Sequence, residues 1–164
     1  MDKNIKDIIV GIADYKIAQG PGRLITLGLG SCVGVCIYDM ALTIGGMAHI
    51  LLPDSSQFPK DARAEKFADL AIPKMVEEMV SHGASVKNLA AKIAGGAAMF
   101  PLSESSKNMD IGKRYVDAVR ACLNELGIPI LAENVGGSLA RTMIMDVKER
   151  LVIIKMPGLA EKIL

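Results

Sequence analysis

The chain contains no tryptophan, and aromatic residues make up only 4% of its 164 positions, so large rigid anchors for a protein interface are scarce. It has no block of basic residues either. With 19 Lys+Arg against 18 Asp+Glu the net charge is +1, which gives no stripe to neutralise phosphates and makes nucleic acid an unexpected partner. Its longest chargeless stretch, Leu24 to Tyr38, falls short of the roughly 20 apolar residues of a spanning helix. That stretch also holds Thr26, Ser31, Gly28, Gly30 and Gly34, so it reads as strand, and the chain is not expected to be embedded in a membrane. The opening "MDKNIKDIIVGIADYK" has no charged start, apolar core and small-residue cleavage site in the order of a secretory signal. Cytoplasm and reduced thiols are therefore expected. The cysteines, Cys32, Cys36 and Cys122, are odd in number, and only His49 and His82 exist as imidazoles. No His stands at metal-ligand spacing from Cys32 and Cys36, so zinc is not expected.

Against these absences, 51% hydrophobic and 23% charged residues describe a chain able to bury an ordinary core as one domain over 1–164. Ile5 to Ala13, Leu24 to Leu29, Val33 to Asp39 and Ile44 to Leu52 are short apolar runs between glycine-rich breaks and read as strands. From Ala62 to His82, the pairs Phe67/Ala68, Ala71/Ile72, Met75/Val76 and Met79/Val80 recur every four residues, the stripe of an amphipathic helix. Pro73 is expected to kink or divide it. Leu89 to Ala94 reads as a strand. A second helix carries Tyr115, Val119, Cys122/Leu123 and Leu126, with Asp110 as N-cap and Gly127 as stop. Ile128 to Val135, Ala140 to Val147 and Leu151 to Met156 close the chain as strands. Strands in a run, then alternating with only two helices, predict an α+β fold: a mixed β-sheet system flanked by two main helices in a single compact domain.

The stretch "TLGLGSCVGVCIYD" puts Cys32 inside a glycine cluster. The spacing G-x-G-x-x-x-G leads into a strand and not a helix, so the phosphate-binding logic of a dinucleotide motif fails. Glycines here either make a tight turn around a small buried cysteine, or expose sulfur and leave backbone N–H groups around Gly30, Ser31 and Val33 free for an oxyanion. His49, on the apolar run "GGMAHILLP", is either a satisfied core histidine or the base for a nearby thiol. Thr26 is either a β-branched strand former or a hydroxyl that accepts the far imidazole N–H and sets the tautomer. His82 stands beside the glycine that ends the first helix and reads as exposed.

Five blocks, "TLGLGSCVGVCIYD", "GGMAHILLPD", "AKIAGGAAMF", "DIGKR" and "GIPILAENVGG", keep an order and spacing from about Ile9 to Val152 that resembles the chemoreceptor glutamine deamidase family, CheD. The resemblance implies Cys32 as nucleophile, His49 as general base and acid, and Thr26 as third catalytic member. It implies hydrolysis of glutamine side chains to glutamate on cytoplasmic helices of chemotaxis receptors, without metal or organic cofactor. It also implies a CheC-type response-regulator phosphatase as partner. Tyr115 stands where the family often has Asn, and Asn134 where Asp is common; both lie outside the catalytic blocks. A non-catalytic module docking helical partners is the competing reading. Met99 and Phe100 run from a strand into the polar "SESSKNMD" and serve either to dock such partners or, for Phe100, to cap the core.

Overall fold

The computed structural model describes residues 5–53, 55–57, 64–99 and 110–164. Its strands are β1 (Lys6–Ile9), β2 (Tyr15–Gln19), β3 (Gly22–Leu29), β4 (Val33–Asp39), β5 (Ile44–Ile50), β6 (Leu89–Gly95), β7 (Ile130–Val135), β8 (Arg141–Asp146), β9 (Leu151–Lys155) and β10 (Lys162–Ile163). Its helices are α1 (Ala68–Ser81) and α2 (Ile111–Glu125). The strands form two five-stranded sheets, ordered β1-β3-β8-β9-β10 and β2-β5-β4-β6-β7. Each is mixed, with β1 parallel to β3 in the first and β6 parallel to β7 in the second. The expected α+β class is what the structure shows.

β4 and β5 are buried at every position. Their continuous apolar sequence follows from being covered on both faces. Val33, Val35 and Ile37 of β4, with Ala48 and Ile50 of β5, pack against Ile72 and Met75 of α1 and Val119 and Leu123 of α2. Cys36, Tyr38 and Met47 point the other way, into a second cluster with Leu24, Leu29, Met143 and Met145 of the first sheet. The result is three layers: both helices on one face of the second sheet, and the first sheet on its other face.

α1 buries the expected stripe, Ala71, Ile72, Met75, Val76 and Met79, but starts at Ala68 and is not divided. Pro73 removes one backbone hydrogen bond near the beginning of the helix, while buried residues before and after it hold both sides on the sheet. Asp110 caps α2 as expected, its carboxylate accepting from the Lys113 amide at 3.0 Å. β2 and β10 were not expected. β2 is a half-exposed edge strand with only Ala18 fully buried, and β10 spans two exposed residues, so neither carries an apolar run.

β3 ends in the first sheet and β4 begins in the second, so Gly30, Ser31 and Cys32 form one of the chain's crossings between layers. The segment after β6 holds that crossing by its backbone: the Gly96 amide donates to the Cys32 carbonyl at 2.9 Å and the Ala97 amide to the Gly30 carbonyl at 2.8 Å. Gly95 makes the approach possible, with φ of 112° and an open side where a Cβ would stand 2.2 Å from the Cys32 carbonyl oxygen. Gly95→Ala is therefore expected to cost roughly 1–3 kcal/mol from backbone conformation alone. The clash with an immobile carbonyl adds to that. Thermal unfolding should show a Tm lower by about 5 °C or more, and a Tm equal to that of the parent chain would contradict this packing.

Candidate active site

Thr26 lies on β3, fully buried, just before a bulge at which the register with β8 shifts between Thr26 and Leu29. Gly28 takes φ of 69° inside that bulge, a conformation side chains resist. From the opposite sheet comes His49 on β5, also fully buried. The Thr26 hydroxyl donates to the Val10 carbonyl at 2.8 Å and lies 2.8 Å from His49 Nδ1. Because its one proton is given to Val10, the hydroxyl can only accept from the ring, so Nδ1 carries the hydrogen and Nε2 the lone pair. Nε2 is buried and has no hydrogen-bond partner among the described residues.

Register brings Cys32 into the neighbourhood of His49. Gly34 is paired opposite His49, and Val33 opposite Ile50. Cys32, two residues before Gly34, shares its face of the sheet and is the diagonal neighbour of His49. It is half-buried and packs against the cluster between the two sheets. Gly34 itself has no room for a side chain: a Cβ there would meet Met143 Sδ at 2.7 Å and Leu29 Cδ1 at 2.8 Å.

Burial pushes the Cys32 thiol above its ordinary value, an effect its own amide opposes, and burial pulls His49 below 6.5. Both shifts favour the neutral pair over a thiolate–imidazolium ion pair at rest. Cys36, fully buried on the same side of β4, is pushed up far more strongly by desolvation. Cys122 donates to the Ala68 carbonyl at 3.6 Å and is raised to about 11, chiefly by burial. His82 lies exposed at the end of α1, as expected. Asp39, the acid nearest in sequence, sits at the far end of β4. Desolvation acts to raise its carboxyl, but the Ser85, Ala41 and Leu42 amides that it accepts from outweigh this and hold it low.

Of the backbone groups expected around the thiol, Gly30 is already engaged, its amide donating to the Gly28 carbonyl at 2.9 Å. Val33 is a ladder residue paired with Ile50 and Gly95. The Ser31 and Cys32 amides donate to no other backbone carbonyl among the described residues. Met99 is exposed, and its side chain covers Gly30, with Cγ and Sδ 3.2 and 3.3 Å from where a Cβ of Gly30 would be. Phe100 lies outside the described residues.

Three features escape sequence reasoning. Gly95 and Gly96 grip the Cys32 crossing from a segment more than sixty residues away, and the only local signal is a glycine pair directly after a buried strand. Tyr115 on α2 is close enough for charge on Cys32 to add to burial in raising its phenol. Arg141 is 4% exposed at the start of β8, where the signal is a lone cation between "GGSLA" and the apolar "TMIM".

A half-buried cysteine on a crossing between two sheets, near a buried histidine held by a hydroxyl, is the arrangement the structure presents. Residues 51–156 match the family described as CheD chemotactic sensory transduction. The chain is 49% identical over 157 residues to the probable chemoreceptor glutamine deamidase CheD of Clostridium acetobutylicum, covering 96% of this chain and 95% of that protein. It is 52% identical over 159 residues to the protein of the same description from Clostridium botulinum strain Hall, covering 97% and 98%. The chain belongs to the CheD family, and by that membership is an enzyme of the glutamine-deamidase class in chemotactic signal transduction. A crystal structure of the Neisseria meningitidis protein NMB0706, assigned to the family model DUF152, shares the fold at a TM-score of 0.53 with 11% identity, over 81% of this chain and 64% of that one. Among the described residues no helix is long and apolar enough to cross a membrane.

The depressed His49 pKa has a sign that can be checked. Above 6.5 both folded and unfolded chains hold a neutral imidazole, and stability from this group is fully present. As pH falls below 6.5 the unfolded chain takes up the proton first, so stability declines until the folded pKa is passed. His49→Asn, whose amide N–H replaces the Nδ1 donor to Thr26, removes the titration. Melting curves between pH 7 and pH 5 should therefore fall more steeply for the parent chain than for His49→Asn, and parallel curves would contradict the burial of a neutral ring.

Proposed function

We propose that the chain hydrolyses selected glutamine side chains to glutamate on cytoplasmic helices of chemotaxis receptors, through a Cys32–His49–Thr26 relay and a thioester intermediate. The observation that carries this reading is the bond between His49 Nδ1 and Thr26 Oγ1, which leaves a lone pair on Nε2 with no other partner. The names of the relatives, chemoreceptor glutamine deamidases, support the substrate.

Starting from the neutral pair, His49 Nε2 takes the Cys32 proton as sulfur attacks the glutamine amide carbon. The oxyanion so formed is met by the Ser31 and Cys32 amides. The imidazolium returns its proton to the amide nitrogen, the C–N bond breaks, and ammonia leaves a thioester. His49, neutral again, removes a proton from water as it attacks the thioester carbon, then protonates the departing sulfur. Atoms balance as amide plus water giving carboxylate and ammonium. A thiol suits this relay because it ionises far more readily than a serine hydroxyl and so asks less of a histidine that has no carboxylate behind it.

The site opens beside apolar surface. Met99 lies over Gly30, Leu27 follows Thr26, and Ile12 precedes Ala13, whose amide bonds the His49 carbonyl; all three apolar side chains are exposed. This rim fits the apolar face of a receptor helix, and a CheC-type phosphatase docking there would compete with the receptor. Met99→Glu should weaken binding of both while leaving the Tm and Cys32 alkylation near the values of the parent chain. Unchanged binding would move the docking surface elsewhere.

The reaction is tested by mass spectrometry of receptor cytoplasmic segments after incubation with the protein, reading the mass gain of Gln to Glu. Cys32→Ala should abolish it, and Thr26→Val should lower kcat by about tenfold or more through loss of the ring's anchor. Cys36→Ser should affect stability alone. Retained turnover in Cys32→Ala would overturn the mechanism.

A further inference from the structure

Arg141 is nearly enclosed, yet no carboxylate meets it among the described residues. Its Nη1 donates to the Asn134 carbonyl at 2.7 Å and to Asn134 Oδ1 at 2.6 Å. Its Nη2 donates to the carbonyls of Gly136 and, at 3.2 Å, Leu139. Both terminal nitrogens are thus spent on the turn that joins β7 to β8, while Nε is buried with no hydrogen-bond partner among the described residues. That turn is bonded to the clamp on Cys32: the Gly136 amide donates to the Gly95 carbonyl at 2.9 Å, and the Ala98 amide to the Gly137 carbonyl at 2.8 Å. The next amides along, Gly96 and Ala97, are those that hold the carbonyls of Cys32 and Gly30. Arg141 is also paired directly with Leu29, the last residue of β3 before the crossing.

We propose that Arg141 is a positioning residue for the nucleophile, fixing the 134–139 turn so that the Gly95–Ala98 segment holds Cys32 and its neighbouring amides in the attacking geometry. The proposal rests on Cys32 being the nucleophile. A planar fork spread over several oxygens of one turn sets the shape of that turn, which a single ammonium does not. A cation placed there for stability alone would have no reason to be linked, bond by bond, to the crossing. The other side of the turn borders a cavity of about 330 Å³ lined in part by Gly137, Leu139, Arg141 and Lys162, a route by which a small cation can reach the position.

The experiment compares Arg141→Lys, Arg141→Ala and Asn134→Ala in the full chain, reading kcat and KM for glutamine hydrolysis alongside the rate of Cys32 alkylation by iodoacetamide. Arg141→Lys is expected to lower kcat by about tenfold or more with KM changed by less than about twofold, and alkylation should slow with it. Millimolar methylguanidinium should restore part of kcat in Arg141→Ala. Asn134→Ala, which removes one acceptor and leaves the cation, should lower kcat in the same direction by about threefold. A folded Arg141→Lys with kcat and alkylation like those of the parent chain, or a loss confined to KM, overturns the proposal. Where Arg141→Lys does not fold, Asn134→Ala decides, and unchanged kcat there overturns it. Failure of the nucleophile reading is seen separately, as activity surviving in Cys32→Ala, while the alkylation rate still reports whether the thiol's surroundings depend on Arg141.

Discussion

One hydroxyl joins the two sheets at the floor of the site, and the direction of its single proton decides how. Thr26 gives it to the Val10 carbonyl, and only because it does so must the ring of His49 donate rather than accept at Nδ1. The tautomer of the histidine is therefore written into the pairing of β1 and its extension with β3, where Val10 also donates its amide to the Ile25 carbonyl. On the other sheet the backbone of His49 is held by Asp14 and Ala13, before β2. Both partners of the 2.8 Å bond are thus fixed through main chain, and the ring cannot rotate without leaving a buried donor unmet, a loss of about 1–3 kcal/mol.

The choice of a neutral partner for the imidazole has consequences for charge. A carboxylate at Thr26 would hold the ring as a cation and favour thiolate at rest. With a hydroxyl there, burial favours the uncharged forms of both Cys32 and His49. The one acid buried on β4, Asp39, is consumed by three backbone amides at the opposite end of the strand. Arg141, likewise, is surrounded by carbonyl dipoles and not by an anion, and burial draws its pKa down. The polar groups around His49 and Arg141 are fixed dipoles, and such dipoles need no reorganisation where charge develops.

What the sequence made legible follows from how local each signal is. The runs "VGVCIYD" and "IGGMAHI" are continuous apolar strands, and they turn out to be covered on both faces. The four-residue stripe of α1 and the Asp110 cap of α2 are contained within a few residues and were readable for that reason. Pro73 does not divide α1, because packing on the sheet holds both halves of the helix, and that packing has no local trace in sequence. β2 was lost because an edge strand exposed on one side has little apolar pattern to show. In the site, glycines around Cys32 pointed to an unusual backbone there, but the reason for Gly95 is the carbonyl of a residue far away in sequence. Asn134, noted only as a departure from the family, is the main acceptor of Arg141, a contact no spacing rule announces.

The crossing that carries Cys32 is held by main-chain bonds, and this sorts its positions into two kinds. Where backbone meets backbone at close range, the side chain must be absent. Gly95 faces the Cys32 carbonyl, and Gly96 and Gly112 press on each other so tightly that a Cβ on Gly112 would stand 2.4 Å from the Gly96 oxygen. Ala97 and Ala98 contribute amides, which any residue but proline supplies. Tyr115, on the helix that Gly112 brings against this segment, belongs to neither kind: it packs against the core, and burial first, then charge on Cys32, raises its phenol. A crossing held this way by main chain sets few demands on the side chains around it, the glycines apart.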